Sequence, residues 1–240
     1  MRAPAALLLT VGVLAGCGQG AAAPGPPDPP PTTPLPAARE LPPADVGARL
    51  THRTALRAEP REDARTLVRA KARTPFGNPT VLHVDRRRDG WVRVLHHELP
   101  NGGRAWALER DVELVREPWA IEIDLSARRA RVRLHDEVID RFPVGVGRAG
   151  NDTPPGVYAV TDLIRTERRE TYGCCVLALT GHQPSLPPGW IGGDRLALHG
   201  TPDESSVGAA RSAGCLRVRE ADIRLLLRRI RLGSRVTIRA

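Results

Sequence analysis

The chain has 240 residues, of which 41% are apolar and 26% charged, with 23 glycines, 23 prolines and four cysteines. This length suits one large domain or two small ones, and scattered cysteines exclude a disulfide-stapled miniprotein and a CxxC…CxxC zinc ribbon. The net charge of +9 is carried by arginines that are spread out, with only 3% aromatic residues, which disfavours nucleic acid as a partner and is typical of a high-GC genome.

The first seventeen residues are predicted to be an export signal. A positive start, Met1 and Arg2, precedes the apolar stretch 5–13, which has signal-peptide length but is too short to span a bilayer. The stretch ends in Leu-Ala-Gly-Cys, which resembles a bacterial lipobox, so Cys17 is the expected lipidation site and membrane anchor. The alternative is an ordinary secretory signal. In both cases the mature chain is expected outside the cytoplasm, and the lipidated form faces the cell wall.

A proline-rich tether is predicted over residues 18–44. Ten of the twenty residues in 24–43 are proline, and the segment has no apolar periodicity with which to pack a core. In polyproline II conformation, at about 3.1 Å per residue, twenty residues reach on the order of 60 Å. Such a segment holds a domain away from a membrane, although a linker of untuned length fits the same composition.

Residues 45–117 are predicted to form a small β domain. Apolar runs and turn signals alternate along it: 80–84, 90–95, the turn 99–103, 105–108 and 111–114. The Gly-Trp strand and polar turn resemble bacterial SH3-like β-barrels, in which the domain binds wall peptides or positions a neighbour. Trp91 and Trp106 are expected in the core, with a ligand platform as the alternative.

Residues 118–240 are predicted to form a second, larger β domain. Alternating or continuous apolar segments indicate its strands: 119–125, 130–134, 138–147, 157–160, 174–180, 196–198 and 235–238. One helix is predicted from an apolar stripe at i, i+3, i+4 and i+7 that stops near Gly233: Ile223, Leu226, Leu227 and Ile230. The fold class is therefore mainly β, with one or two short helices.

The chemistry is predicted to lie between His199 and Cys215. The cysteine follows Gly214 in a Ser-X-Gly-Cys turn, which projects a sulfur into a cleft where backbone N–H groups can form an oxyanion hole. A thiol is a poor nucleophile at its free pKa of about 8.5, and a nearby imidazole favours the thiolate. The imidazole needs an orienting acceptor, which a backbone carbonyl can supply.

His199-Gly200-Thr201 and the segment 212–217, Ser-Ala-Gly-Cys-Leu-Arg, resemble the signature of bacterial L,D-transpeptidase catalytic domains, which form β-sandwiches. The resemblance extends over 118–240. The resemblance implies that Cys215 is the nucleophile, that His199 is its base and that the Gly200 carbonyl orients His199.

The resemblance also implies roles for the residues around the nucleophile. The Gly214 and Cys215 N–H groups would form the oxyanion hole, Ser212 would fix the turn, and Arg217 would shape the site or meet a substrate carboxylate. Many family members have a second histidine where Ala213 stands here.

The implied reaction is acyl transfer on peptidoglycan stem peptides. The cysteine attacks the carbonyl of the third residue of a tetrapeptide, expels D-alanine and forms a thioester, which an amine of a neighbouring stem resolves into a 3→3 cross-link. No metal or cofactor is needed, and carbapenem sensitivity is implied. The alternatives are an L,D-carboxypeptidase, with water as acceptor, and a catalytically silent wall-binding lipoprotein.

Four further features are less specific. Cys174 and Cys175 are expected in the core, with a vicinal disulfide or thiols near the cleft as alternatives. A zinc site that combines them with His199 and Cys215 is disfavoured, because adjacent cysteines have poor chelating spacing. His182 is expected to border the substrate groove. The Pro- and Gly-rich loop 184–193 is the candidate lid, with surface packing of Trp190 as the alternative.

Overall fold

A computed structural model describes residues 45–167 and 169–240. The predicted export signal, the lipidation of Cys17 and the proline-rich tether lie outside the described residues. In the described part of the chain, every helix is too short or too polar to cross a bilayer.

Strands make up most of the ordered elements, which confirms the predicted mainly β class with two short helices. Over residues 45–167 and 169–240 the elements are β1 (Val46–Arg49), β2 (Thr54–Arg57), β3 (Thr66–Ala70), β4 (Val81–Arg88), β5 (Trp91–Val94), β6 (Ala105–Leu108), β7 (Glu113–Arg116), β8 (Trp119–Asp124), β9 (Arg129–Leu134), β10 (Glu137–Pro143), β11 (Val146–Gly147), β12 (Gly156–Arg165), α1 (Arg169–Tyr172), β13 (Cys175–His182), β14 (Arg195–Gly200), β15 (Ala210–Ser212), β16 (Leu216–Val218), α2 (Glu220–Arg229) and β17 (Arg235–Arg239).

The first seven strands form one sheet in the order β3-β2-β6-β5-β4-β1-β7. The predicted hairpin joins β5 to β6, and Gly102 in its turn has φ +80°, a backbone conformation that favours glycine. Trp91 and Trp106 are only 6% and 9% exposed, so the core interpretation of both rings is confirmed. The SH3-like character of this region stays a prediction.

The second sheet has eight strands in the order β10-β9-β8-β17-β12-β13-β14-β16. Two of its neighbouring pairs are parallel, β8 with β17 and β14 with β16, and both join segments that are distant along the chain. Strand β13 is buried along most of its length, as its continuous apolar run predicts. The sheet thus brings β14, which ends in His199 and Gly200, beside the segment that follows Cys215.

Helix α2 packs against β13 and β14 through its predicted apolar stripe. Ile223 and Leu226 are buried, while Glu220 and Asp222 lie in the first turn, where carboxylates suit the helix dipole. The helix therefore supports the strand that carries His199 from behind.

The two sheets are joined by polar contacts that range from buried to exposed. Ser234 Oγ donates to Glu117 Oε1 at 2.7 Å, and Glu117 lies directly after β7, the last strand of the first sheet. His182 Nε2 donates to the His97 carbonyl at 2.6 Å, and Asn101 Nδ2 donates to the His182 carbonyl at 2.7 Å. These bonds fix the first sheet against the root of the loop that follows β13.

Candidate active site

Cys215 lies in a tight turn between β15 and β16. Gly214 has φ +120°, a conformation that side chains other than glycine rarely adopt. Ser212 Oγ donates to the Cys215 carbonyl at 2.5 Å and accepts from the Gly214 N–H at 3.0 Å. Thr153 Oγ1 donates to the Gly214 carbonyl at 2.8 Å. Short side chains on both flanks therefore fix the backbone that presents the sulfur.

The same hydrogen bonds correct one sequence expectation. The sequence predicts that the Gly214 N–H points at an oxyanion, but this N–H donates to Ser212 Oγ. Ser212 thus takes a donor from the predicted oxyanion hole while it shapes the turn. Of the expected pair, the Cys215 N–H is the donor that Ser212 leaves available.

His199 lies near the end of β14, and its ring is held by a hydrogen bond to the backbone of the next residue, Gly200. Nδ1 is 2.6 Å from the Gly200 carbonyl oxygen, which can only accept, so Nδ1 carries the proton and Nε2 has a free lone pair. The Tyr172 ring contacts the imidazole edge-on, with centroids 5.1 Å apart. This tautomer is the one that can take a proton from a thiol.

The register of β14 against β16 brings the histidine and cysteine to one face of the sheet. Leu198 pairs with Leu216, and His199 pairs with Arg217, in parallel orientation. Cys215 therefore precedes the partner of His199 by two residues, and two residues is the repeat of side chains on one face. At about 3.3 Å along a strand per residue and about 4.8 Å between strands, the two Cα atoms are roughly 8 Å apart.

Burial keeps the Cys215 thiol and the His199 imidazole neutral. It raises the pKa of the Cys215 thiol, an effect that a backbone hydrogen bond at Ala197 and the Arg217 charge offset only in part. Burial lowers the pKa of His199 to about 4, with the Gly200 hydrogen bond opposing and the Arg217 charge reinforcing the shift. At neutral pH the site therefore holds a thiol beside an uncharged imidazole.

Cys215 and His199 both line a cavity of about 670 Å³. A cavity of this size accommodates a peptide segment or a drug-sized molecule. Four arginines also line it: Arg148, Arg195, Arg211 and Arg217. Guanidinium groups pair with carboxylates in a bidentate manner, so the cavity suits an acyl donor that carries carboxylates.

The loop between β13 and β14 forms part of the cavity wall. Leu186, Pro187 and Trp190 line the cavity, and Trp190 Nε1 donates to the Gly193 carbonyl at 2.6 Å. Ile191 beside them is 99% exposed. The loop thus borders the site, where a lid would be, and Trp190 faces both the cavity and solvent.

The expectation that His182 borders the groove is wrong. Its ring bonds instead to the His97 carbonyl of the first sheet and, through Nδ1, contacts Asp194 Oδ2 at 3.0 Å. His182 is absent from the cavity lining because it is turned toward the junction of the two sheets. It anchors the root of the loop rather than the substrate.

Gln183 is a site residue that the sequence does not reveal. Its side-chain amide donates to the carbonyls of Asn151, Asp152 and Ala213 at 3.0–3.2 Å, and its Oε1 accepts from the Ser185 N–H. It is 5% exposed and lines the cavity. One amide thereby holds together the loop, the turn before β12 and the turn that carries Cys215, a role that no local motif indicates.

Cys174 and Cys175 are joined to each other by a disulfide and belong to the buried core. The core and vicinal-disulfide interpretations therefore both apply. With their sulfurs bonded to each other, these cysteines do not make the zinc site considered with His199 and Cys215. The adjacent backbone is tied to α2, where Glu220 Oε1 accepts from the Cys174 N–H at 3.0 Å.

A comparison with known proteins matches the part of the chain that carries this cavity to a family. The family model for the YkuD L,D-transpeptidase catalytic domain matches residues 118–238. "Putative L,D-transpeptidase YkuD" of Bacillus licheniformis is 28% identical over 121 residues, which are 50% of this chain and 66% of that protein. "Probable L,D-transpeptidase ErfK/SrfK" of Salmonella typhimurium is 26% identical over 218 residues, which are 82% of this chain and 66% of that protein.

A solved structure of L,D-transpeptidase 3 from Mycobacterium tuberculosis, in complex with a faropenem-derived adduct, is similar with a TM-score of 0.42. Its sequence identity is 14%, over 65% of this chain and 71% of that chain. The chain spans 66% of the length of the first curated relatives that it matches.

Proposed function

The chain belongs to the YkuD family of L,D-transpeptidase catalytic domains, and from that we propose that it forms 3→3 cross-links between peptidoglycan stem peptides through a thioester on Cys215. The observation that carries this proposal is that Cys215 and His199 line the same cavity and that the Gly200 carbonyl holds the His199 proton on Nδ1. The catalytic roles of these residues are inferred from that geometry and from the family signature.

In the proposed acylation, His199 Nε2 takes the thiol proton as Cys215 Sγ bonds to the carbonyl carbon of the third stem residue. The Cys215 N–H stabilises the oxygen of the tetrahedral intermediate. The carbon–nitrogen bond then breaks, and the imidazolium returns its proton to the amine of the departing D-alanine. The product is a thioester and a neutral imidazole.

In the proposed second half-reaction, an amine of a neighbouring stem attacks the thioester carbonyl. His199 removes a proton from that amine, the carbon–sulfur bond breaks, and Cys215 recovers a proton from the imidazolium. In this proposal the arginines that line the cavity, Arg217 among them, hold stem carboxylates during both steps.

The test incubates the full chain and its Cys215→Ala variant with a stem-tetrapeptide muropeptide, followed by muropeptide analysis. We expect D-alanine release and 3→3 dimers from the wild type and neither from the variant. D-alanine release without dimers would identify an L,D-carboxypeptidase instead. Unchanged cross-linking by Cys215→Ala would refute the assignment of the nucleophile.

A parallel measurement uses a carbapenem and the intact mass of the protein. The proposed enzyme gains one carbapenem mass, and Cys215→Ala gains none. A wild-type chain that stays unmodified would indicate a silent wall-binding lipoprotein.

We also propose that the protein is exported and anchored to the cell membrane by lipidated Cys17, so that the catalytic cavity faces the wall. This rests on the lipobox-like sequence at 14–17. Membrane fractionation of cells that express the wild type or Cys17→Ser tests it: only the wild type should sediment with membranes. Equal sedimentation of both would contradict lipid anchoring.

A further inference from the structure

The turn between β3 and β4, in the first sheet, carries an aromatic side chain to the catalytic cavity of the second. Phe76 lies at the tip of this turn, is 60% exposed and lines the same cavity as Cys215. The cavity wall is therefore built from both halves of the described chain.

The turn that holds Phe76 is closed by its own hydrogen bonds. The Thr74 N–H donates to the Asn78 carbonyl at 2.9 Å, and the Gly77 N–H donates to the Thr74 carbonyl at 3.0 Å. Gly77 has φ +83°, which glycine adopts without strain. Arg73 adds a side-chain hydrogen bond to the Gly77 carbonyl at 2.7 Å. The ring is thus presented by a defined turn.

Both ends of the turn are fixed to the catalytic sheet at one carboxylate. Asp162 on β12 is 1% exposed, and its Oδ1 accepts from Thr74 Oγ1 and from Asn78 Nδ2. These two donors flank Phe76 along the chain. A buried carboxylate with two such partners is a strong anchor, so the position of Phe76 depends directly on the catalytic sheet.

The exposed aromatic surface is concentrated at this cavity. Four large apolar side chains of the described residues are exposed: Phe76, Ile139, Trp190 and Ile191. Both aromatic members of this set, Phe76 and Trp190, line the cavity. Covering exposed apolar surface with a ligand lowers the free energy of the complex. This wall of the cavity therefore favours a ligand with aliphatic parts.

We propose that Phe76 is a specificity-determining residue that binds an uncharged, aliphatic part of the stem peptide away from the reacting carbonyl. The inference rests on the proposed function, because it assigns this wall of the cavity to the same peptide substrate. It gives the first sheet a direct part in substrate recognition. A small acyl donor without a stem peptide does not need this contact.

The test compares Phe76→Ala with Ile139→Ala, a matched change of an exposed apolar residue that lies outside the cavity lining. For the stem-tetrapeptide muropeptide we expect kcat/KM to fall about tenfold in Phe76→Ala, mostly through KM, and to stay within about twofold of wild type in Ile139→Ala. The carbapenem acylation rate should stay within about twofold in both variants. Phe76→Trp should restore most of the muropeptide activity.

Unchanged muropeptide kinetics in Phe76→Ala, with normal carbapenem acylation, would overturn the role of Phe76 and leave the proposed function intact. An equal loss of both reactions would also overturn it, since the ring would then support the site's structure rather than the peptide. A wild-type chain that reacts with neither compound would overturn both proposals.

A second variant tests the anchor. Thr74→Val removes one of the two hydrogen bonds to Asp162 while it preserves side-chain volume. The proposal predicts a smaller rise in KM for the muropeptide than in Phe76→Ala, with carbapenem acylation unaffected. A KM equal to that of the wild type would show that this bond does not position the ring.

Discussion

At the scale of single residues, the reactivity of Cys215 is set by what surrounds its sulfur. Burial opposes a thiolate, and Cys215 Sγ lies 3.9 Å from the Arg195 carbonyl oxygen, to which the thiol donates a weak hydrogen bond. Burial also opposes an imidazolium at His199. The favoured resting state is therefore a neutral pair. In the proposed mechanism charge develops only during attack, when the Arg217 charge and the Cys215 N–H would stabilise it.

The pH dependence of acylation follows from this neutral pair. Because the pKa of His199 is about 4 and that of Cys215 is raised, the proportion of competent enzyme should stay almost constant from about pH 8 to about pH 5. Carbapenem acylation rates measured across this range check the prediction. A histidine that titrated near its ordinary pKa of about 6.5 would instead cause an about thirtyfold loss by about pH 5.

Gln183 is predicted to be a positioning residue for the nucleophile turn. Gln183→Leu keeps the volume but leaves the Ala213 carbonyl and two neighbouring carbonyls without their donor. We expect carbapenem acylation to slow about tenfold or more, because a small displacement of the reacting group is costly. Stopped-flow acylation and thermal unfolding should be measured together. Lower stability with an unchanged acylation rate would assign Gln183 a purely structural role.

At the scale of elements, the turn between β15 and β16 brings the strand-borne histidine and the cysteine together. Parallel pairing of β14 with β16 fixes the two-residue offset between His199 and Cys215. Helix α2 supports β14 from the other side. The turn itself must stay narrow, because Gly214 packs directly against the amide of Gln183.

Gly214→Ala is predicted to disrupt this turn. A Cβ there would lie 1.9 Å from Gln183 Nε2 and 2.8 Å from its Cδ, on a backbone with φ +120°. We expect acylation to slow about a hundredfold. Gly208→Ala is the matched control: its φ is +79°, but its Cβ would meet only Pro143, at 3.9 Å.

The rate of carbapenem acylation is followed by intact mass in both glycine variants. This comparison separates the effect of backbone strain, which both variants share, from the effect of the clash with Gln183, which only Gly214→Ala has. Gly208→Ala should react within about twofold of the wild-type rate, since its cost is backbone strain alone. Equal rates in the two variants would show that crowding at Gly214 is unimportant to the nucleophile.

The sequence predicts those parts of this arrangement that local patterns encode. Alternation and turn residues predict most strands, the apolar stripe predicts α2, and spacing predicts that His199 and Cys215 meet. The contacts of Gln183 and of Asp162 are not encoded locally, since each joins segments that are 30 or more residues apart. The engagement of the Gly214 N–H by Ser212 also depends on a side-chain rotamer that the motif does not specify.

At the scale of the whole described molecule, the two sheets are joined by polar groups that are costly to bury. Glu117, between β7 and β8, is 2% exposed and accepts from Ser234 Oγ and, at 3.3 Å, from the Trp119 N–H. Burial raises the pKa of this carboxyl to about 7 despite those hydrogen bonds. The junction is therefore sensitive to pH.

The sign of this effect gives a stability prediction for Glu117→Gln. Because the folded-state pKa is raised, the carboxyl's contribution to stability is present below about pH 4.5 and is lost as the pH rises through about 7. The amide keeps an oxygen for Ser234 and never ionises. The free energy of unfolding of the variant minus that of the wild type should therefore be larger at about pH 8 than at about pH 5. We expect this difference to grow by about 1–3 kcal/mol between the two pH values.

Denaturant unfolding of both proteins at the two pH values measures this difference. A gain that is the same at both values would contradict a buried, titrating Glu117. Because the variant and the wild type are compared at the same pH, the contributions of other titrating groups to the free energy of unfolding cancel.

The most direct test of the account is to trap the acyl-enzyme. The full chain is mixed with stem-tetrapeptide muropeptide, quenched in acid, and analysed by intact mass and peptide mapping. The proposed mechanism predicts an adduct equal to the muropeptide minus D-alanine. This adduct is attached to Cys215, is sensitive to hydroxylamine and forms much more slowly in His199→Gln. D-alanine release with no covalent adduct at any time, or an adduct on another residue, would contradict it.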